Sequence, residues 1–129
     1  MVARAILAAL MVAGLASLSG CGPAKLDQNS KFTIDAHGTP GHIVELSAQP
    51  QPQAITVEFD SSTTEVTVAL FKTSDEVYPE KIDLAKAIKG AKGKSGKFTA
   101  DVPANTETKV VVGEASKSTE VKLHITNRK

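Results

Sequence analysis

The sequence predicts an all-β fold, an antiparallel β-sandwich of about seven strands that spans residues 32–129. Two observations support this prediction. Apolar and polar residues alternate in several short segments, as they do in strands that bury one face. Gly, Pro, Asn and Ser residues, which favour turns, separate these segments at roughly regular spacing.

Each predicted strand rests on this alternation. In the clearest segment, 55–60, apolar residues occupy every second position. Phe71 breaks the rule, because it follows Leu70 and must point to the opposite face of its strand. We expect Phe71 either to cover a bent edge or to pack under the following loop with Tyr78. The predicted strands cover residues 32–35, 43–46, 55–60, 66–71, 98–102, 109–112 and 121–125.

The segment near residues 79–96 does not follow the two-residue period. Ile82, Ala85 and Ile88 are spaced for one face of a short helix over 80–89. Three glycines then follow within a lysine-rich stretch, which indicates a mobile loop. We therefore expect one short helix or an irregular lysine-rich loop here, in a part of the chain where function often resides.

The N-terminus has the three parts of a secretory signal peptide. Arg4 supplies a positive charge, residues 5–18 form an uncharged apolar run, and the small residues Ser19 and Gly20 precede Cys21. A stable membrane span needs about 20 apolar residues, so this run is short for a permanent anchor. The pattern favours cleavage after export.

Leu18, Ser19, Gly20 and Cys21 resemble the lipobox of bacterial lipoproteins, an aliphatic residue and two small residues before an invariant cysteine. The resemblance implies that a peptidase removes the signal peptide, 1–20. It also implies that the Cys21 thiol carries a diacylglycerol and that the new amino group is acylated, with palmitate as a typical chain. No other cofactor is expected. The alternatives are an ordinary signal peptide with an incidental thiol, or a short uncleaved anchor.

The lipid would attach the protein to the bacterial cell envelope, facing the periplasm. Gly22, rather than aspartate, follows the cysteine, and in the enteric sorting rule this favours the outer membrane over the inner membrane. Residues 21–31 are expected to form the lipidated N-terminus and a flexible tether, since 22–31 are polar and lack periodicity. Part of this segment could instead pair as an edge strand.

The charge balance argues against binding of nucleic acid. Arg4 is the only charged residue in 1–20, so the 15 Lys and Arg residues fall to 14 in the mature chain, against 14 Asp and Glu. A nucleic-acid-binding domain needs a basic excess. No catalytic motif is present, and acylation would leave no free thiol nucleophile. We therefore expect a protein that is not an enzyme.

Two histidines and a group of lysines remain as candidate sites. His37 and His42 flank a Gly-Thr-Pro-Gly turn and could contribute to a metal site or an envelope enzyme, although the sequence favours the interpretation that they are exposed turn histidines. His124 is expected on a solvent-facing strand position. The six lysines of 81–97 could bind an anion, a lipid headgroup or an envelope polymer, or could be solvated residues that protect a sheet edge. They are Lys81, Lys86, Lys89, Lys92, Lys94 and Lys97.

The function predicted from the sequence is therefore a membrane-anchored binding or structural module of the envelope. Its partners would be the membrane, through the lipid, and an envelope protein or an anionic polymer. The metal-binding or enzymatic function through His37 and His42 and the anion-binding function through the lysines are the alternatives.

Overall fold

A computed structural model describes residues 25–36, 41–79 and 81–127 and confirms the all-β sandwich. It has eight strands, one more than the alternation indicates. They are β1 (Asp27–Ile34), β2 (His42–Leu46), β3 (Gln53–Ser61), β4 (Val66–Lys72), β5 (Lys89–Gly93), β6 (Ser95–Val102), β7 (Thr108–Gly113) and β8 (Thr119–Thr126). Sheet A has the order β1–β8–β3–β6 and sheet B the order β2–β7–β4–β5, and all pairs are antiparallel.

The main core lies between the two sheets. It is built from the inward side of each alternating segment, such as Val57 and Phe59 on β3 and Val110 and Val112 on β7. Burial of one such aliphatic side chain stabilises the fold by about 1.5–3 kcal/mol. The core explains why the two-residue period identified most strands correctly.

The connections fall into two groups at opposite ends of the sandwich. The chain enters at Asp27, at the end that also carries the loops 47–52 and 103–107, which we call the proximal end. β1 then runs away from this end. The loops 62–65 and 114–118 and the turn at Lys94 lie at the other end, the distal end, because each sheet is fully antiparallel.

The predicted tether is too long by five residues, because β1 begins at Asp27. Strand β1 pairs with β8 from Asp27 opposite Thr126 to Ile34 opposite Thr119. The first five residues of β1, 27–31, are polar, so hydrophobic periodicity could not identify them as part of a strand. The alternative of an edge strand, left open by the sequence, is correct for residues 27–31.

The predicted helix over 80–89 is wrong, and so is the mobile loop after it. Only Leu84–Lys86 forms a single 3-10 turn, and β5 and β6 follow. The apolar residues do not share a face: Ile82 packs outside sheet B, whereas Ile88 packs against the main core. Gly90 has a steric role, since a Cβ there would collide with the side chains of Leu84 and Ala69.

Residues 73–79 and 81–88 form a strap that covers the outer face of sheet B. Phe71, Ala69 and Val111 point outward from this sheet and make a second apolar cluster with Ile82 of the strap. Phe71 therefore packs under the following loop, which confirms one of the two expectations for this residue. Tyr78, its expected partner, is 57% exposed, and the partly buried residues that pack against this cluster are Val77 and Ala87.

Glu114 fastens the strap at the distal end. Its carboxylate accepts hydrogen bonds from the Ile82 backbone N–H (2.9 Å) and the Thr67 hydroxyl (2.7 Å), and its own N–H donates to the Pro79 carbonyl (3.1 Å). Glu114 has φ 61°, a conformation that is costly for a residue with a side chain. Its neighbour Gly113 has no room for a Cβ, which would collide with the Pro79 carbonyl. At the distal end, the strap is held by this side chain and by the close backbone approach, while Lys109 Nζ donates to the carbonyls of Thr73 and Asp75 near its other end.

The buried hydroxyl of Thr108 supplies a first testable prediction. Thr108 is fully buried and its Oγ1 has no hydrogen-bond partner. An unsatisfied buried hydroxyl costs about 1–3 kcal/mol, so Thr108→Val should raise the unfolding free energy by about 1 kcal/mol in urea titrations. Thr67→Val, at an equally buried position, removes a bond to Glu114 and should lower it. A loss of stability in Thr108→Val would contradict this account.

Candidate functional site

The two outer faces of the sandwich differ in what covers them. The outer face of sheet B is apolar and lies under the strap. The outer face of sheet A is polar, and within the described residues no segment crosses it. We call it the open face. It is formed by the outward side chains of Asn29, Lys31, Glu58, Asp60, Ser95, Lys97, Lys122 and His124.

Strand register arranges these side chains in two rows across all four strands. The first row runs Lys31, Lys122, Asp60 and Ser95, from β1 to β6. The second row runs Asn29, His124, Glu58 and Lys97 in the same direction. Charges of both signs therefore stand side by side over the width of the sheet.

A shallow depression of about 740 Å³, open to solvent, lies on the open face. Lys31 and Lys122 face each other directly across β1 and β8. Like charges at opposed positions destabilise a sheet, so this pair does not contribute to the stability of the fold. Lys31 instead reaches Glu120, at 3.7 Å, in an exposed ion pair of little energetic weight.

His124 lies in the second row, on the solvent side of β8 as the sequence predicted. Its Nε2 is 2.8 Å from Asp27 Oδ1, and both side chains are partly exposed. The contact links β1 to β8 at the proximal half of the open face. It fixes the imidazole beside Glu58, its neighbour on β3.

Of the two candidate metal ligands, His37 lies outside the described residues. His42 packs against an aromatic side chain of the sandwich. The ring of His42 stacks on Phe32, with centroids 3.8 Å apart and planes inclined by 15°. Burial lowers the pKa of His42 below its ordinary value, which favours the neutral ring. The stack closes the gap between β1 and β2 at one side of the sandwich. Among the described residues, no three His, Cys, Asp or Glu side chains are grouped to hold a metal ion.

The structure separates the six candidate lysines. Lys81 belongs to the strap and forms an isolated bridge with Tyr78. Lys86 lies in the 3-10 turn of the strap, close in sequence to β5, and the other four lie on β5, β6 and the residue that joins them: Lys89, Lys92, Lys94 and Lys97. Lys97 also belongs to the open face. The lipobox residues Leu18, Ser19, Gly20 and Cys21 lie outside the described residues.

Sequence reasoning missed the open face as a unit. The alternation signals that Glu58, Asp60, Lys122 and His124 face water, because they occupy polar positions of predicted strands. The other four residues, Asn29, Lys31, Ser95 and Lys97, lie outside the predicted strands. Which strands are neighbours depends on long-range pairing, however, and β1 and β8 are separated by most of the chain. No helix within the described residues is long and apolar enough to cross a membrane.

No protein-family model matches this chain, and no curated protein matches it. Solved structures do resemble it in fold. The periplasmic inhibitor of g-type lysozyme PliG, from Aeromonas hydrophila, has a TM-score of 0.55 and 16% sequence identity, over 81% of this chain and 86% of that chain. At this identity the likeness shows a shared sandwich fold.

A chain from the disulfide-linked pili that form Bacillus endospore appendages is a weaker match. It has a TM-score of 0.40 and 13% identity, over 88% of this chain and 96% of that chain. The part of the chain that the structure describes is an eight-stranded sandwich, and its fold resembles that of the periplasmic inhibitor PliG.

Proposed function

We propose that the protein is a lipid-anchored module of the bacterial envelope that binds a protein partner and catalyses no reaction. The observation that carries the proposal is the contrast between the two outer faces. The strap covers the apolar face, whereas no part of the described chain covers the other, charged face with its shallow depression. Rows of opposite charges complement the mixed charges of a protein surface and select its orientation.

The anchor in this proposal is Cys21, the cysteine of the lipobox. Two or three acyl chains hold a protein firmly at a membrane, whereas one binds only reversibly. Gly22 supports the outer membrane as the location. A hydrogen bond of Leu26 supports an anchor close to the proximal end. Its N–H donates to Asn127 Oδ1 (2.9 Å) and fixes the point where the chain enters the sandwich. The lipid would therefore hold the proximal end toward the bilayer.

The likeness in fold supports a protein partner in the same compartment. PliG is a periplasmic inhibitor of g-type lysozyme, and thus a protein that acts on another protein. A sandwich of this kind has a rigid sheet on which side chains can be presented in fixed rows, as binding interfaces require.

A charge swap on the open face tests the proposal. The double variant Glu58→Lys, Lys122→Glu keeps the net charge and changes two exposed side chains, so stability should shift by less than about 1 kcal/mol. The protein is cross-linked and purified from native membranes, and the partner is identified by mass spectrometry. We expect recovery of the partner to fall at least roughly tenfold in the variant.

The matched control is Lys72→Glu, Glu107→Lys, an equal swap of exposed residues at the proximal end. It should leave recovery of the partner unchanged. Equal recovery with both double variants would show that the open face is not the binding surface.

A further inference from the structure

Five lysines form a rim along one narrow side of the sandwich. β5 is the last strand of sheet B and β6 the last strand of sheet A, and they are joined by the single residue Lys94. The two edges therefore lie on the same side, opposite β1 and β2. We call this surface the lysine rim; it consists of Lys86, Lys89, Lys92, Lys94 and Lys97.

The rim carries charge that the described residues do not neutralise. All five side chains are exposed, and among the described residues no carboxylate lies within salt-bridge distance of any of them. Glu58 faces Lys97 across β3 and β6 without forming such a contact. Asp83 is engaged with the Ala85 backbone N–H (3.0 Å). The rim therefore attracts a multivalent anion from outside the domain.

The length of the N-terminal linker decides which anion can reach the rim; this step rests on the proposed lipid at Cys21. Leu26 is held by Asn127, whose N–H donates to the Leu26 carbonyl (3.3 Å). From Cys21 to Leu26 the chain can span at most about 18 Å. If the rim lay on the bilayer, β1 would stand three strand spacings above it.

Three spacings amount to about 14 Å, and the headgroup layer adds roughly 5–7 Å. The lysine side chains add further height, so the total exceeds what the linker can span. The rim consequently cannot lie flat on the membrane that holds the lipid. Lys92 and Lys94 lie at the distal end, diagonally opposite the point of entry.

We infer that the lysine rim binds a linear polymer of repeated phosphate groups rather than the membrane that holds its own lipid. Lysines interact with phosphate as point charges. Lys89, Lys92, Lys94 and Lys97 lie on two adjacent edge strands and the residue between them, and Lys86 lies in the 3-10 turn that precedes them, so an extended polyanion can contact several of these charges. Binding through such charges weakens as salt rises.

The test uses the lipidated protein in phosphatidylcholine vesicles, with inorganic polyphosphate as the probe. We expect binding that is lost at high salt and that weakens at least roughly tenfold when the five rim lysines become glutamine. The matched control changes five other lysines to glutamine: Lys25, Lys31, Lys72, Lys117 and Lys122. It should weaken binding less than about twofold, and a rim of five arginines should retain it. Equal losses in both glutamine variants would overturn the inference.

A second arm places the rim relative to the bilayer. Ser95→Cys adds a thiol beside the rim, and Cys21, the only native cysteine, is acylated. A fluorophore at position 95 should not be quenched by quencher-bearing lipids, even in vesicles with phosphatidylglycerol. Quenching that requires the rim lysines would show that they bind the bilayer, and would overturn the inference. Flotation of the vesicles measures the anchor separately, so the two proposals can fail independently.

Discussion

Replacement of Glu114 by alanine should detach the strap from sheet B. The variant loses the carboxylate that accepts from the Ile82 N–H and from the Thr67 hydroxyl. Hydrogen bonds to a charged group contribute about 1.5–3 kcal/mol each, so we expect a loss of about 2–4 kcal/mol in unfolding free energy. Hydrogen exchange at the Ile82 amide and proteolysis within residues 73–88 should accelerate more than exchange in β3.

Glu114→Gln is the matched control, because the amide oxygen can still accept from Ile82 and its NH2 can donate to Thr67. We expect it to lose about 1 kcal/mol and to keep the strap protected. Gly113→Ala should expose the same segment by a different route, since the added Cβ displaces the Pro79 carbonyl. Unchanged exchange at Ile82 in Glu114→Ala would refute the role given to Glu114.

Replacement of Cys21 by serine should abolish membrane attachment through lipid. Serine lacks the thiol that receives the diacylglycerol, so the variant should accumulate as a precursor that keeps residues 1–20 and takes up no labelled fatty acid. Because acyl chains contribute about 0.8 kcal/mol per buried CH2, their loss removes nearly all of the anchoring free energy. Metabolic labelling and gel mobility measure both effects.

Ser19→Ala is the control for this variant, since alanine is also small and should allow normal processing. Normal lipid labelling of Cys21→Ser would show that Cys21 is not the site of acylation. The open face and the lysine rim would keep their geometry in that case. The short linker between Cys21 and Leu26 would no longer limit how the domain can lie on the membrane.

Most strands could be predicted from the sequence because one face of each is buried. The segment 55–60 shows this directly, because every second side chain enters the core. This alternation can be recognised without knowing which strands pair with it. The missed parts, residues 27–31 of β1 and the whole of β5, lack that pattern. β1 is polar in its outer half, and β5 is a short edge strand of Lys, Gly and Ala.

The candidate site was less accessible to sequence reasoning, for a different reason. The rows of the open face join Lys31 to Lys122 and Glu58 to His124, pairs that are defined only by long-range register. The role of Glu114 is equally hidden, because it connects a strap and a strand that are distant in the chain. The lysines of 81–97 were visible as a group, yet only the sheet order shows that five of them share one side.

The most direct test of the account is the mass of the N-terminal tryptic peptide from protein purified from its native membranes. After processing, this peptide should run from Cys21 to Lys25. A mass increased by a diacylglyceryl group, with or without a further acyl chain on the amino group, is the predicted result. A peptide of the same residues with a bare thiol would contradict the lipid anchor, and with it the proposed orientation of the domain.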